Sequence, residues 1–260
     1  MTVETAIEDF LATYPRMSLK PSSSVNYIIE GDFPVVAQQN NIGDTLVNRI
    51  FRLSIVVPIN YPDAIPIVYE KENQIPISPD FHKNTDSSLC LGAPLALLRQ
   101  LSEDASLVVF ANECIVPHLA SAILKKERGL PFLQGELQHY DKGLEENFYD
   151  YFGINISLKA IPSIFARLGE KKRKANKRLC PCGQNFKLGS CSCAIRRFIS
   201  AERRKEGYSR RFYRNVARYY NNYVNRQKEN PELKNKSIAS NRDCQVCSET
   251  SLIEEQKETS

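Results

Sequence analysis

No stretch of this chain runs to about 18 uninterrupted apolar residues, the length that marks a membrane-spanning helix. The nearest candidate, SLVVFANECIVPHLASAILKK, is broken by Asn112, Glu113, Pro117 and His118. No segment is therefore expected to cross a membrane. The opening MTVETAIEDF is acidic and amphipathic, where a secretory or transit signal would need basic residues, so a cytoplasmic setting is expected. Internal repeats and coiled-coil heptads are absent, which excludes solenoids and long zippers. No His–Asp pairing of the protease kind is apparent among the three histidines. What remains is ordinary globular material. The 260 residues, 42% hydrophobic and 25% charged, suit one large domain or a typical domain with a smaller module.

Charge divides the chain. Residues 170–236 hold 20 of the 35 Lys and Arg but 5 of the 30 Asp and Glu, a local balance of +15 that leaves −10 for the rest. Two regions of opposite sign suggest two modules with different partners; a solvated basic face is the plainer alternative. Cysteine divides the same way. Cys90 and Cys114 stand alone, whereas Cys180, Cys182, Cys191, Cys193, Cys244 and Cys247 cluster in the basic half. In a chain without an export signal, such clusters point to metal rather than to disulfides.

Periodicity predicts a helix over 2–13, with Val3, Ile7, Phe10 and Leu11 on one face and Thr5 with Glu8 in the form of a capping box. SSVNYIIEGDFPVVAQ reads as two short extended runs divided by Gly31. NRIFRLSIVVP alternates, so that Phe51, Leu53, Ile55 and Val57 face a core opposite Arg52 and Ser54. Another short strand, PIVYEK, follows. Residues 94–101 and about 103–127 read as helical with a kink near Pro117, and Cys114 falls on an apolar helix as a core residue. After a basic linker, KKRKANKR, and a cysteine-rich knuckle, one helix is expected to run through about residue 227. It carries Tyr208, Phe212, Val216, Tyr219 and Tyr223 as a stripe, which suits core or partner packing or stacking on bases. Helix, antiparallel strands, loop and helices in that order give an α+β fold.

The loop FHKNTDSSLCLGAP places His82, Asn84 and Cys90 together. A strand ending in Pro58, then Tyr61-Pro62 and Pro66, a strand, His82-x-Asn84 and Leu89-Cys90-Leu91 closely resembles the core of ubiquitin-conjugating enzymes. The resemblance spans roughly residues 1–130 and implies an antiparallel sheet flanked by helices. It also implies that Cys90 carries a ubiquitin-like protein as a thioester, passed on to an amine. Asn84 would support the loop or stabilise the oxyanion, and His82 would shape the loop. An ordinary thiol, with a pKa near about 8.5, would be a few per cent thiolate at neutral pH. Lys83 stands where the family has Pro, the chain has no Trp, and no aromatic follows the cysteine, features that suit a distant bacterial branch. Residues 129–153, with Gly135, Glu136, His139 and Gly143, look like an extension seen in bacterial members. The plain alternative for Cys90 is a small buried hydrophobe.

CPCGQNFKLGSCSC has two Cys-x-Cys pairs eight residues apart, a set that suits tetrahedral zinc. It resembles the SEC-C zinc motif, with Ser192 in the usual last place and Cys193 one residue later. Cys180, Cys182, Cys191 and Cys193 are the expected ligands of a structural zinc. Cys244-x-x-Cys247 is half a site: reactive, metal-pairing in a dimer, or incidental.

The organisation expected is a conjugating-like domain over 1–153, a helical and basic linker over 154–178, a zinc module with a basic helix over 179–227, and a weakly ordered tail over 228–260. By resemblance, the partners are an activating enzyme and a ubiquitin-like protein or the C-terminus of a cyclic-nucleotide synthase, in bacterial antiphage defence. Nucleic acid is a partner that the basic module would suit. The alternatives are a non-catalytic binding module of the same fold and a zinc-dependent nucleic-acid adaptor.

Overall fold

A computed structural model describes residues 1–21, 23–39, 45–132, 140–205 and 207–229. The sequence features at Gly135, Glu136 and His139, at Cys244 and Cys247, and in the segment after 229 lie outside the described residues.

The chain opens with α1 (Val3–Thr13), which buries Val3, Ala6, Ile7 and Phe10. Its cap is Thr2, whose hydroxyl accepts from the Thr5 N–H, so capping begins three residues before the Thr5–Glu8 pair that the sequence suggests. Four antiparallel strands follow in the spatial order of the chain: β1 (Met17–Lys20), β2 (Asn26–Gln39), β3 (Thr45–Pro58) and β4 (Ile67–Glu70). β2 is one 14-residue strand, not two runs divided at Gly31. Gly31 is paired with Met17 and Leu53, and a Cβ there would lie 2.1 Å from the Arg16 carbonyl oxygen. The glycine thus admits β1 to the sheet rather than interrupting β2. Phe33 faces Phe51 and Ile29 faces Ile55 across the ladder, and all four are buried. The expected core face of β3 is observed, although Ser54 on the other face is also buried. A side chain such as Phe51 contributes about 1.5–3 kcal/mol by leaving water.

After the site loop come α2 (Pro94–Glu103), α3 (Leu107–Phe110), a π-helical turn (Ala111–Ile115) and α4 (Val116–Arg128). The last three run on as one 22-residue helix, Leu107–Arg128. The expected kink takes the form of the π turn. Pro117 lacks an N–H and crowds the preceding turn, and the widened coil ahead of it absorbs both effects. By length and composition alone this helix could cross a membrane, yet 67% of its most apolar window is buried. It covers the sheet with α1, and Leu119, Ala122 and Ile123 join the first core.

A second core is built from α5 (Tyr140–Phe152), α6 (Ile161–Gly169), the short α7 (Lys172–Ala175), α8 (Ala194–Glu202) and α9 (Arg210–Glu229). The knuckle and the basic segment thus continue into two helices, where periodicity suggested one. The break contains Gly207, and the Ser209 hydroxyl caps the restart by accepting from the Phe212 N–H at 3.1 Å. α2 joins the two cores. Leu97 and Leu101 enter the first, whereas Leu95 and Leu98 pack among Phe148, Phe165, Val216 and Tyr220 of the second. The second core therefore draws on residues to either side of position 153.

Candidate functional site

The thiol loop is a hairpin folded onto the end of β4. Tyr69 pairs with Ser88, and the Leu89 N–H donates to the Val68 carbonyl at 2.8 Å. The hairpin then closes on itself: Lys83 pairs with Leu89, and the Cys90 N–H donates to the His82 carbonyl at 2.8 Å. His82 and Ser87 take left-handed φ values of 49° and 68°. At the far end, the Asp86 carboxylate accepts from the Ser88 N–H and hydroxyl at 3.0 and 2.6 Å. Asp86, Ser87 and Ser88 make the reversal through this local bonding.

Lys83 pins the hairpin from below. Its ammonium group is wholly buried and donates to Glu70 Oε2 at 2.6 Å, Asn73 Oδ1 at 3.1 Å and the Ile75 carbonyl at 3.2 Å. Three donors therefore meet three acceptors. Glu70 in turn accepts from the Glu72 and Gln74 N–H groups at 2.8 and 3.3 Å, so its charge is shared by a turn as well as by the lysine. The sequence marks Lys83 as an oddity, but the ion pair with Glu70 is not legible there.

Cys90 sits exposed at the open end of this hairpin, opposite His82. The atoms packed around it nevertheless push the thiol pKa up, partly offset by the Gly92 N–H. The ordinary thiol expected from sequence is thus corrected towards a weaker acid. His82 is held by rings: it meets Phe132 edge-on at 4.6 Å and lies 6.4 Å from His118. Burial, with a smaller effect of His82, pulls His118 down to about 3, so it is neutral near pH 7. Asn84 is exposed and turns its amide into the reversal, where Nδ2 donates to Ser88 Oγ at 2.9 Å. The structure thus brings His82 and Cys90 side by side through the backbone and sets Asn84 two residues further round. Cys114 is buried, donates to Gln100 Oε1 at 2.9 Å, and is pushed up to about 11 mainly by burial.

The four-cysteine cluster lies in the second core. Leu179 pairs with Lys187, and the Cys180 N–H donates to the Phe186 carbonyl at 2.8 Å, forming a small hairpin turned at Gly183, φ 77°, and Asn185, φ 56°. Cys193 follows at the N-terminus of α8 and accepts from the Arg196 N–H at 3.4 Å. All four sulfurs lie within 4.8 Å of one another, with Cys180–Cys193 at 3.5 Å and Cys182–Cys191 at 3.7 Å. None is in a disulfide. Four thiolates about 2.3 Å from a central ion stand about 3.8 Å apart in a regular tetrahedron, so the cluster could hold a metal ion. The N–H of Cys193 is the main cause that draws the Cys191 thiol down to about 7, while burial pushes Cys180 and Cys193 up. A central cation would replace the protons that such crowded thiols otherwise keep.

A cleft of about 590 Å³ opens against α2, lined by Arg99, Glu103, Tyr151, Glu202 and Tyr208. Cys90 does not line it. Cys90 stands apart from it as an exposed residue of the hairpin, which suits a macromolecular partner better than a small enclosed ligand. Comparison of the chain with known protein families, with curated proteins and with solved structures gives no match.

Proposed function

We propose that the protein is a ubiquitin-conjugating-like acyltransferase with Cys90 as its nucleophile. The observation that carries this reading is an exposed cysteine at the open end of a hairpin, fixed by a buried ion pair beside an antiparallel sheet. The Cys90 thiolate attacks the carbonyl of an activated C-terminal acyl group, held as a thioester on an activating enzyme. The thiol of that enzyme departs as the new thioester forms. An acceptor amine then attacks, an amide bond forms, the Cys90 thiolate leaves, and the amine loses its proton. Sulfur serves both steps, because a thiolate is a strong nucleophile and a competent leaving group. The elevated pKa of Cys90 favours resting stability over constant reactivity. In this reading His82 holds the loop through its rings, and Asn84 supports the turn through Ser88. The acyl donor is a ubiquitin-like protein or the C-terminus of a cyclic-nucleotide synthase, in a cytoplasmic antiphage system of bacteria.

The ion held by Cys180, Cys182, Cys191 and Cys193 is zinc in a structural role. A four-thiolate set leaves no coordination position for substrate, and tetrahedral geometry at these separations suits zinc. The test of the transfer reading is incubation with an activating enzyme and a tail donor. A protein adduct released by thiol reductant, and lost in Cys90→Ala, supports it. A Cys90→Ala variant that retains the adduct overturns it.

A second partner class is favoured by one observation. Phe186 and Leu179, 56% and 57% exposed, project from the knuckle hairpin beside exposed Lys177, Arg178 and Lys187. An exposed aromatic on a hairpin that also carries exposed cations, of which Arg178 pairs with Glu170, suits single-stranded nucleic acid, with one base stacked and phosphates paired. In the α9 stripe Phe212 and Val216 are buried in the second core and Tyr208, Tyr219 and Tyr223 pack partly against it, which favours packing over stacking on bases. Phe186→Ala should weaken oligonucleotide binding by about 1–3 kcal/mol in fluorescence anisotropy. Absence of binding at low salt removes nucleic acid from the partners.

A further inference from the structure

Between Lys171 and Lys228 the chain carries 18 Lys and Arg against two acidic residues, Glu202 and Glu206. Several of these cations are engaged within the fold. The Arg203 guanidinium donates to the Arg167 and Glu170 carbonyls at the end of α6, and Arg178 pairs with Glu170 at 3.7 Å. Lys205 pairs with Glu202, while Arg211 Nε and Asn215 Nδ2 each donate to Asp63 Oδ1 at 2.7 Å, which seats α9. Lys171, Lys174, Lys177, Arg210 and Arg218 are different: they are exposed and have no ion-pair partner among the described residues. Like charges crowded without counter-charges repel one another, a cost that a polyanion would relieve.

Backbone geometry arranges these five, together with Arg214, in two rows that meet. Arg210, Arg214 and Arg218 follow at four-residue intervals on α9, exposed opposite the buried Phe212, Val216 and Tyr220. In the basic linker the Lys174 N–H donates to the Lys171 carbonyl at 2.9 Å, and the Lys177 N–H to the Lys174 carbonyl at 3.2 Å. Bonds of this three-residue kind set every third side chain over the last, so Lys171, Lys174 and Lys177 form the second row, with Ala175 buried behind them. Each row is about 12 Å long. They meet at Gly169, where a Cβ would lie 2.7 Å from Arg214 Cγ and 3.3 Å from the Arg210 carbonyl oxygen; Lys171 stands two residues further on. Glu170 at this junction is held by Arg167 and Arg178. The far end of the lysine row reaches the knuckle. There the Leu188 N–H donates to the Arg178 carbonyl at 2.8 Å, next to the exposed Phe186 and Lys187.

We propose that the two rows form one phosphate track for a single-stranded nucleic acid, running from Phe186 on the knuckle along the lysines to the arginines of α9. This rests on the reading of Phe186 as a base-stacking side chain and extends it from a point contact to a path. Phosphates that replace their counterions with these side chains supply the affinity, without regard to base sequence. A single strand is the occupant because its backbone can follow a path set by two separate segments while one base turns onto the exposed ring. The bases of a stacked duplex have no free face to offer Phe186. The track shares no residue with the Cys90 hairpin.

The test is fluorescence anisotropy of the metal-loaded full chain with a labelled deoxythymidine strand of about 12 nucleotides, titrated across salt. Contacts from all six side chains predict a slope of log affinity against log salt near about −4. Binding should therefore weaken about 300-fold from about 50 to about 200 mM salt. Arg210→Gln with Arg218→Gln should reduce the slope by about 1.4, and Lys171→Gln with Lys174→Gln by the same amount. These side chains are exposed and unpartnered, so the unfolding midpoints should stay in place. Arg49→Gln removes a cation of β3 outside the track and should leave the slope unchanged. Phe186→Ala should weaken binding at every salt concentration with the slope unchanged. Paired variants whose slopes match Arg49→Gln overturn the track, and a weakened Phe186→Ala in the same series keeps the stacking reading. Reduced slopes beside an unchanged Phe186→Ala affinity uphold the two rows and overturn the stacking reading. A duplex of the same length, or a polyglutamate of the same charge, that competes as well as the strand overturns the assignment to single-stranded nucleic acid.

Discussion

Lys83→Met keeps most of the aliphatic stem and deletes the charge that fixes the thiol hairpin. Both members of the Lys83–Glu70 pair are fully buried, so neither has water to fall back on. Loss of the ammonium group also strands the carbonyl of buried Ile75, while exposed Asn73 can turn to water and Glu70 keeps the Glu72 and Gln74 N–H groups. Hydrogen bonds to charged groups contribute about 1.5–3 kcal/mol each, but the cost of having buried the lysine is recovered when it is removed. The net expectation is a loss of about 3–5 kcal/mol, the usual result of leaving one buried charge without its partner. In urea this lowers the midpoint of the circular-dichroism transition by about 1–2 M at unchanged slope. The double variant Lys83→Met with Glu70→Leu removes both charges and should recover most of the loss. A single-variant cost below about 1 kcal/mol, or a double variant no better than the single, refutes the view that this pair pins the loop.

Metal removal should act on one half of the molecule. Chelation should release one ion per chain and abolish hydrogen-exchange protection in α9, since structural zinc contributes about 10–16 kcal/mol to such folds; the sheet should stay protected. His118 gives a signed pH effect. Its folded pKa of about 3 lies below the ordinary 6.5, so the unfolded chain binds more protons between those values. Stability should therefore fall as pH drops through that window, at up to about 1.4 kcal/mol per unit, and His118→Gln should flatten the slope in urea titrations from pH 7 to 4. Gly31→Ala should destabilise by at least about 1–3 kcal/mol, because its Cβ would strike the Arg16 carbonyl, and thermal unfolding would register the loss.

Where one physical pattern dominates a segment, the sequence reveals its structure. α1 and β3 carry clean periodicities, and their core faces are those expected. The four cysteines were recognisable because ligand spacing is local chemistry, and their sulfurs do converge. Long-range relations were not legible. Gly31 looks like a strand breaker until the close pass of Arg16 is known. Lys83 looks like a lost proline until Glu70 appears beneath it. Leu95 and Leu98 differ from Leu97 and Leu101 only in which core they face, a matter of what packs on either side of α2. The placement of α9 depends on Asp63, about 150 residues earlier in the chain, and no spacing rule links them.

The central claim is that Cys90 carries an acyl group, and the most direct measurement is on Cys90→Ser. A serine hydroxyl in the same place forms an oxyester that thiol reductants do not cleave. Intact-mass analysis after incubation with an activating enzyme and a tail donor should show a reductant-labile adduct on the natural protein. The serine variant should show a reductant-resistant, base-labile adduct, mapped to position 90. An adduct mapped to any other residue, or the same reductant-labile adduct on the serine variant, contradicts the account.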